Sequence, residues 1–278
     1  PDFLGVGMER AGTSWIYTML AAHPDIWVPP IKELHYFDVL DPEVESYSRR
    51  FNKHLISRLR QKAAHFIKVK SRPELYQNSI LDYLLWDWRY FTGAGDDAWY
   101  QRLFADQFTK GRICGEITPA YSNLSERSIR HILTLNPEMK FILMVRPPAE
   151  RAWSGLIHQF CHIEKRNYED ISEKEMLDYL KGSYARARSN VPSILKRWKK
   201  CVPDKFLFIR STTDLKENAP GLISDIYRFL GADSTFTPPE YLLYNRINSY
   251  TKKAYKKPEA VEDFLKQTYP DIDLEKEI

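Results

Sequence analysis

The sequence predicts an α/β domain, a three-layer sandwich in which helices cover both faces of a central parallel sheet. Short apolar runs recur along the chain, each followed by apolar residues at helical spacing. The first of these runs ends in a loop bracketed by two glycines and opens directly into a helix. Strands that alternate with helices in this way form parallel sheets buried on both faces. A length of 278 residues suits one such domain over residues 1–278, with a single core expected.

Phe3-Leu4-Gly5-Val6-Gly7 reads as the first strand, and Trp15, Ile16, Met19 and Leu20 mark the helix after the loop. That helix should stop at His23-Pro24, because the residue before proline disfavours the helical conformation. Lys32 to Asp38 reads as an alternating loop or strand. Residues of about 40–105 show no βαβ rhythm and are read as an insertion. Arg112 to Glu116 is a second strand, Ser125 to Leu135 a helix with Ser125 as N-cap, and Lys140 to Val145 a third, strongly apolar strand. Pro147-Pro148 breaks it before a helix over Glu150 to His158. Residues 164–176 read as a charged surface connection. A helix bearing Ile194, Leu195 and Trp198 follows, then a strand at Lys205 to Ile209, then an amphipathic helix from Leu222 to Leu230 closed by Gly231.

Composition narrows the function classes. A hydrophobic fraction of 43% with 28% charge describes a globular chain, and no run approaches the roughly 18 apolar residues of a membrane span. Cys114, Cys161 and Cys201 are too few and too scattered for a disulfide framework or a zinc site, so reduced thiols are expected. The net charge of +4 and 14% aromatic content suit anionic or sugar-like ligands. No helix-turn-helix, zinc or RNA-binding signature is present, so no nucleic-acid partner is expected.

The loop Gly7-Met8-Glu9-Arg10-Ala11-Gly12-Thr13-Ser14 carries the chemistry. Glycines at a strand-to-helix junction turn backbone N–H groups inward, and the helix adds its positive N-terminal end, so the loop forms a phosphate-loop-like cradle. A nucleotide triphosphatase would place lysine where Thr13 stands and a magnesium-binding hydroxyl after it. Here the cation stands two residues before the second glycine, at Arg10, which suits transfer of a sulfonate without metal. A phosphate-loop kinase is the alternative enzyme class.

Arg10-Ala11-Gly12-Thr13-Ser14-Trp15 resembles the 5'-phosphosulfate loop of sulfotransferases that use 3'-phosphoadenosine 5'-phosphosulfate (PAPS). Leu20 to Asp25 and Lys32-Glu33-Leu34-His35-Tyr36-Phe37 look like the heparan-sulfate branch of that family and its bacterial relatives. Arg146-Pro147-Pro148-Ala149-Glu150-Arg151-Ala152-Trp153-Ser154 resembles the family's 3'-phosphate site, and Gly115 to Tyr121 its active-site segment. The resemblance implies Arg10, Ala11, Gly12, Thr13, Ser14, Trp15, Arg146 and Ser154 as the residues binding PAPS, with PAP as product and no metal. It implies transfer of a sulfuryl group to a hydroxyl or amine of an acceptor, a carbohydrate or otherwise a small molecule.

The same resemblance implies Glu33 as base, with burial expected to raise its pKa, and Arg10 as the cation on the transferred group. His35 is the second candidate base or an orienting group. Trp15 either stacks on adenine or packs in the core, and Arg151 is either a third phosphate contact or a solvated helix residue. The aromatics Trp86, Trp88, Tyr90, Phe91, Trp99 and Tyr100, with the basic run from Ser48 to Arg72, imply an acceptor side at about 40–105. Asn245, Arg246, Lys252 and Lys253 are expected to close over the nucleotide. Ile117 stands where heparan-type enzymes carry lysine. A cytoplasmic location is expected, a trimmed Golgi-lumenal domain being the alternative.

Overall fold

A computed structural model describes residues 1–43, 80–244, 255–270, 272, 273 and 276. The basic run from Ser48 to Arg72, and Asn245, Arg246, Lys252 and Lys253, lie outside the described residues. Five strands form one parallel sheet: β1 (Phe3–Gly7), β2 (Ile26–Trp27), β3 (Ile113–Ile117), β4 (Lys140–Val145) and β5 (Leu207–Ser211), in the order β2-β3-β1-β4-β5. Phe3 lies opposite Gly115 on one side and Lys140 on the other, so β1 is the central strand. Its five residues are all buried, which is why β1 reads as a continuous apolar run with no alternation.

The element after β1 is α1 (Thr13–Ala22), and His23 ends it in an extended conformation before Pro24, as the proline dictates. β2 has only two residues, too short for a periodic signal, and is fixed by pairing Ile26 with Ile113. The stretch read as loop or strand at Lys32 to Asp38 is instead a loop running into a short helix, α2 (Tyr36–Leu40). The described part of the insertion is helical: α3 (Ile80–Thr92), α4 (Asp97–Arg102) and α5 (Ala105–Thr109). α6 (Glu126–Leu135) begins where Ser125 accepts a hydrogen bond from the Ser128 N–H. α7 (Pro148–Ile157) starts on its proline pair and continues into a π-helical turn, His158–Ile163.

The connection expected at residues 164–176 contains the start of α8 (Glu173–Lys181), whose Ser172 and Glu175 form a reciprocal capping box. α9 (Ser183–Ser189) and α10 (Val191–Cys201) follow, then α11 (Thr212–Glu217), α12 (Ala219–Leu230), α13 (Glu240–Leu243) and α14 (Glu259–Thr268). Gly231 closes α12 at φ 90°, the left-handed conformation that glycine adopts without a Cβ penalty.

The main core joins both faces of the sheet, with Phe3, Leu4, Ile129, Phe141, Trp198 and Tyr227 fully buried. A second, smaller cluster unites α7, α8 and α14 through Leu156, Met176, Leu180, Val261 and Leu265. The expected single core is therefore a main core with a satellite, and α14 belongs to the satellite. Cys114 is buried, and Cys161 and Cys201 are partly buried free thiols. Among the described residues no helix is long and apolar enough to cross a membrane.

Gly115 sits where a Cβ would approach the Phe3 carbonyl oxygen to 2.3 Å, across a ladder that has no room to open. Gly115→Ala should cost about 1–3 kcal/mol by overpacking, read as a lowered thermal unfolding midpoint.

Candidate functional site

In an open parallel sheet ligands bind beyond the carboxyl ends of the strands, where connections leave in opposite directions. Here that point lies between β1 and β4. The loop after β1 is tied to β4 by the Met8 N–H, which donates to the Met144 carbonyl at 2.6 Å. Gly12 adopts φ 82°, and a Cβ there would meet Leu215 of α11 at 2.7 Å. Glycine at this position lets the backbone turn into α1 beneath α11. α1 carries no side-chain cap, and its positive N-terminal end stands at the loop.

Arg10 is in the left-handed region at φ 69°. Its Nε donates to Ser154 Oγ on α7 at 3.1 Å, and its carbonyl accepts from Arg146 Nη1 at 3.0 Å. The two turns singled out in the sequence, one after β1 and one after β4, are thus joined by both side chain and backbone of Arg10. Arg146 also gives Nε and Nη2 to Glu150 Oε2, each at 3.3 Å. Burial presses the Arg146 pKa below its ordinary value and Glu150 opposes it.

Arg151 is neither a solvated residue nor open to a ligand: it is 1% exposed and donates to Glu9 Oε2 at 3.1 Å. Arg188 of α9 reaches the same oxygen at 2.8 Å. Glu9 therefore fastens the residue before Arg10 to α7 and α9 at once.

The second part of the site is the loop before α2. Glu33 and His35 adopt φ 68° and 57°, so three of the four non-glycine residues with positive φ among the described residues are Arg10, Glu33 and His35. Such conformations cost on the order of 1–3 kcal/mol each and cluster where surrounding structure enforces them. Glu116, at the end of β3, supplies that enforcement. It is buried and accepts from Leu34 N–H at 3.1 Å, Thr118 Oγ1 at 2.7 Å, Tyr100 OH at 2.8 Å and Tyr121 OH at 3.0 Å. Tyr121 OH in turn accepts the Tyr36 N–H at 2.9 Å. Burial raises the Glu116 pKa, and its four hydrogen bonds restrain the rise.

Glu33 pairs with Lys32, and His35 Nε2 lies 3.5 Å from Glu33 Oε2. On its other side His35 Nδ1 contacts Asp38 Oδ2 at 2.9 Å, and Asp38 is 1% exposed. Burial works against ionisation of Glu33, but the charges and hydrogen bonds of Lys32 and His35 outweigh it and hold the carboxyl well below the usual range. The expected rise is therefore reversed: the flanking cations, not the apolar surroundings, decide. Burial likewise opposes charge on His35, but Asp38 and Glu33 push its pKa up to about 9. His35 thus lies between two carboxylates, Glu33 on one ring nitrogen and Asp38 on the other.

Trp15 is 5% exposed, and its indole N–H donates to the Leu243 carbonyl at 2.9 Å. It packs in the core and offers no open face for stacking on a base. The aromatic set assigned to an acceptor side is also mostly internal: Trp86, Tyr90, Trp99 and Tyr100 are at most 6% exposed. Trp86 stacks on Tyr90, and Tyr100 stacks on Tyr36, so these rings brace the loop carrying Glu33. Trp88, at 69% exposure, is the member of that set that faces solvent. Ile117 is buried, with its side chain against Gly5, a position where a lysine ammonium would be stranded in the core.

Asp38, Glu116 and Glu9 were not singled out from the sequence, nor were His158 and His162. Burial, then the charge of Arg10, lowers the His158 pKa to about 4 and also lowers that of His162. His158 follows Ser154 by four residues, a helical spacing that would have placed both on one face.

A family model described as the sulfotransferase family matches residues 1–237. The crystal structure of a sulfotransferase from Alicyclobacillus acidocaldarius aligns with a TM-score of 0.62 at 20% identity, covering 97% of this chain and 91% of that one. At that identity the likeness establishes the fold. The sulfotransferase domain of the Synechococcus PCC 7002 olefin synthase aligns with a TM-score of 0.48 at 18% identity over 94% of this chain and 81% of that one. Sulfotransferase STF9 from Mycobacterium avium gives 0.48 at 16% identity over 97% and 74%. No curated protein sequence matches the chain. Because the family match runs from the cradle strand through α12 and the parallel sheet is that of a solved sulfotransferase, this protein belongs to the sulfotransferase family of PAPS-dependent enzymes.

Proposed function

We propose that this enzyme transfers the sulfuryl group of PAPS to a hydroxyl of a carbohydrate acceptor, with Glu33 as general base. What supports Glu33 as the base is its placement, a carboxylate set between Lys32 and His35 on a strained loop braced by Glu116; the same two cations keep it ionised and temper its basicity. An acceptor O–H gives its proton to the Glu33 carboxylate as its oxygen bonds to sulfur, and the S–O bond to the 5'-phosphate breaks. Arg10 and the first-turn N–H groups of α1 meet the charge left on that phosphate, which is where preorganised donors lower the barrier most. The nucleotide's 3'-phosphate lies on Arg146 and Ser154. No step requires a metal.

His35 is a positioning residue in this reading. Its imidazolium steadies the Glu33 carboxylate, and Asp38 steadies His35. A carbohydrate acceptor is supported by the resemblance of Lys32 to Phe37 to the heparan-sulfate branch and by the exposed ring of Trp88, since sugar rings dock on aromatic faces.

Calorimetric titration tests the donor site. PAP should bind without magnesium and more tightly than adenosine 5'-phosphate, and Arg146→Ala should weaken PAP about ten-fold or more while leaving adenosine 5'-phosphate nearly unchanged. Binding of ATP with magnesium in place of PAP would overturn the reading. For the chemical step, Glu33→Gln should lower kcat by about 10²–10⁴-fold in a PAP-release assay with intact PAP binding. Loss of binding together with turnover would count against a base at this position.

His35 also makes stability depend on pH. Its folded pKa of about 9 lies above the ordinary 6.5, so the contribution is full below pH 6.5 and is lost as pH rises through about 9. The wild-type thermal midpoint should fall across that window more than that of His35→Asn, a substitution that tolerates the left-handed backbone.

A further inference from the structure

Two cations from different elements converge on one carboxylate oxygen at the turn after β4. Glu150 Oε2 accepts from Arg146 Nε and Nη2 and lies 3.3 Å from the Lys216 ammonium of α11. The Nε and Nη2 edge of a guanidinium is one of the forks that fit two phosphate oxygens. This edge of Arg146 is thus spent on a side chain of the same turn. The carboxylate answers only one of the two positive charges, so the position keeps a positive excess. Glu150 and Lys216 are 41% and 59% exposed, and a pair so open to water is readily exchanged for another anion. Lys216 also adjoins the cradle through its neighbour Leu215, the residue packed over Gly12.

We propose that Glu150 is a built-in counter-anion of the 3'-phosphate site, holding the position on Arg146 that the phosphate takes over, and that Lys216 is a further cation of that site. The proposal rests on the assignment of Arg146 to the 3'-phosphate. The benefit to the fold is electrostatic. Arg146 is only 25% exposed, and without Glu150 its guanidinium and the Lys216 ammonium would face the same point with no anion between them. The cost is competition, because Glu150 must release Arg146 when the dianionic phosphate arrives. A carboxylate that merely aimed Arg146 would have the opposite effect on binding, and this makes the two roles separable.

The test is calorimetric titration of the full chain with PAP and with adenosine 5'-phosphate for wild type, Glu150→Gln and Lys216→Met. Glu150→Gln should bind PAP about three- to ten-fold more tightly, with adenosine 5'-phosphate unchanged, a gain that damage to the fold does not produce. Lys216→Met, at an exposed position where folding is not at risk, should weaken PAP by a similar factor and again spare adenosine 5'-phosphate. Equal or weaker PAP binding by Glu150→Gln overturns the counter-anion role, and unchanged PAP binding by Lys216→Met overturns the added cation. Wild type that does not bind PAP overturns the 3'-phosphate assignment itself, which distinguishes failure of that reading from failure of this one.

Discussion

The candidate site depends on Glu116, a carboxylate buried at the end of β3 and surrounded by four donors from three segments of the chain. Hydrogen bonds to a charged group contribute about 1.5–3 kcal/mol each, and removing one partner of a buried set leaves the others unsatisfied. The loop before α2 is built on this anchor. Leu34 binds it directly and Tyr36 binds it through Tyr121, so alternate residues are fastened inward. Glu33 and His35, the residues between and beside these anchors, take the left-handed conformations. A cost of about 1–2 kcal/mol for each such residue is offset by the anchor beneath it. The candidate base and its partner are thus held by a buried carboxylate beneath their loop.

Charge is the second constraint. Arg10, Arg146, Arg151, Arg188 and Lys216 gather around the turns after β1 and β4, and such a concentration of cations opposes folding by repulsion and desolvation. Two carboxylates are interleaved among them. Glu9 joins Arg151 to Arg188, and Glu150 joins Arg146 to Lys216. The first pairing is the more buried and fixes the backbone next to Arg10. The second is more open to water, which is what the proposed counter-anion role of Glu150 requires.

The anion sites are also not independent. Arg10 donates to Ser154 and accepts from Arg146, so the cradle after β1 and the turn after β4 form one hydrogen-bonded unit across the switch point of the sheet. In the proposed reading, a nucleotide spanning both turns would meet groups already oriented by each other, which lowers the ordering cost of binding.

The fold class, the strands β1 and β4 and the helices α1, α6, α10 and α12 were legible in the sequence because each follows a local rule. Buried parallel strands read as unbroken apolar runs, Ser125 and Gly231 mark helix ends, and a glycine-bracketed loop at a strand-to-helix junction marks an anion cradle. The two-residue β2 and the helix at Tyr36–Leu40 carried no such signal. Sequence also offered Arg10, Glu33, His35, Arg146 and Ser154 as candidates, because the segments around them resemble the motifs of the sulfotransferase family. It did not reveal which rings face water: Trp15, Trp86 and Trp99 have the composition of a ligand surface and the burial of a core. Nor did it reveal the ionisation of Glu33, which Lys32 and His35 set against the effect of burial. Local spacing determines which side chains a strand, a turn or a helix can present. Only the tertiary structure decided which of them are buried, which charges meet and which backbone strain is sustained, because those depend on contacts such as Glu116 with Leu34 that lie 82 residues apart in the chain.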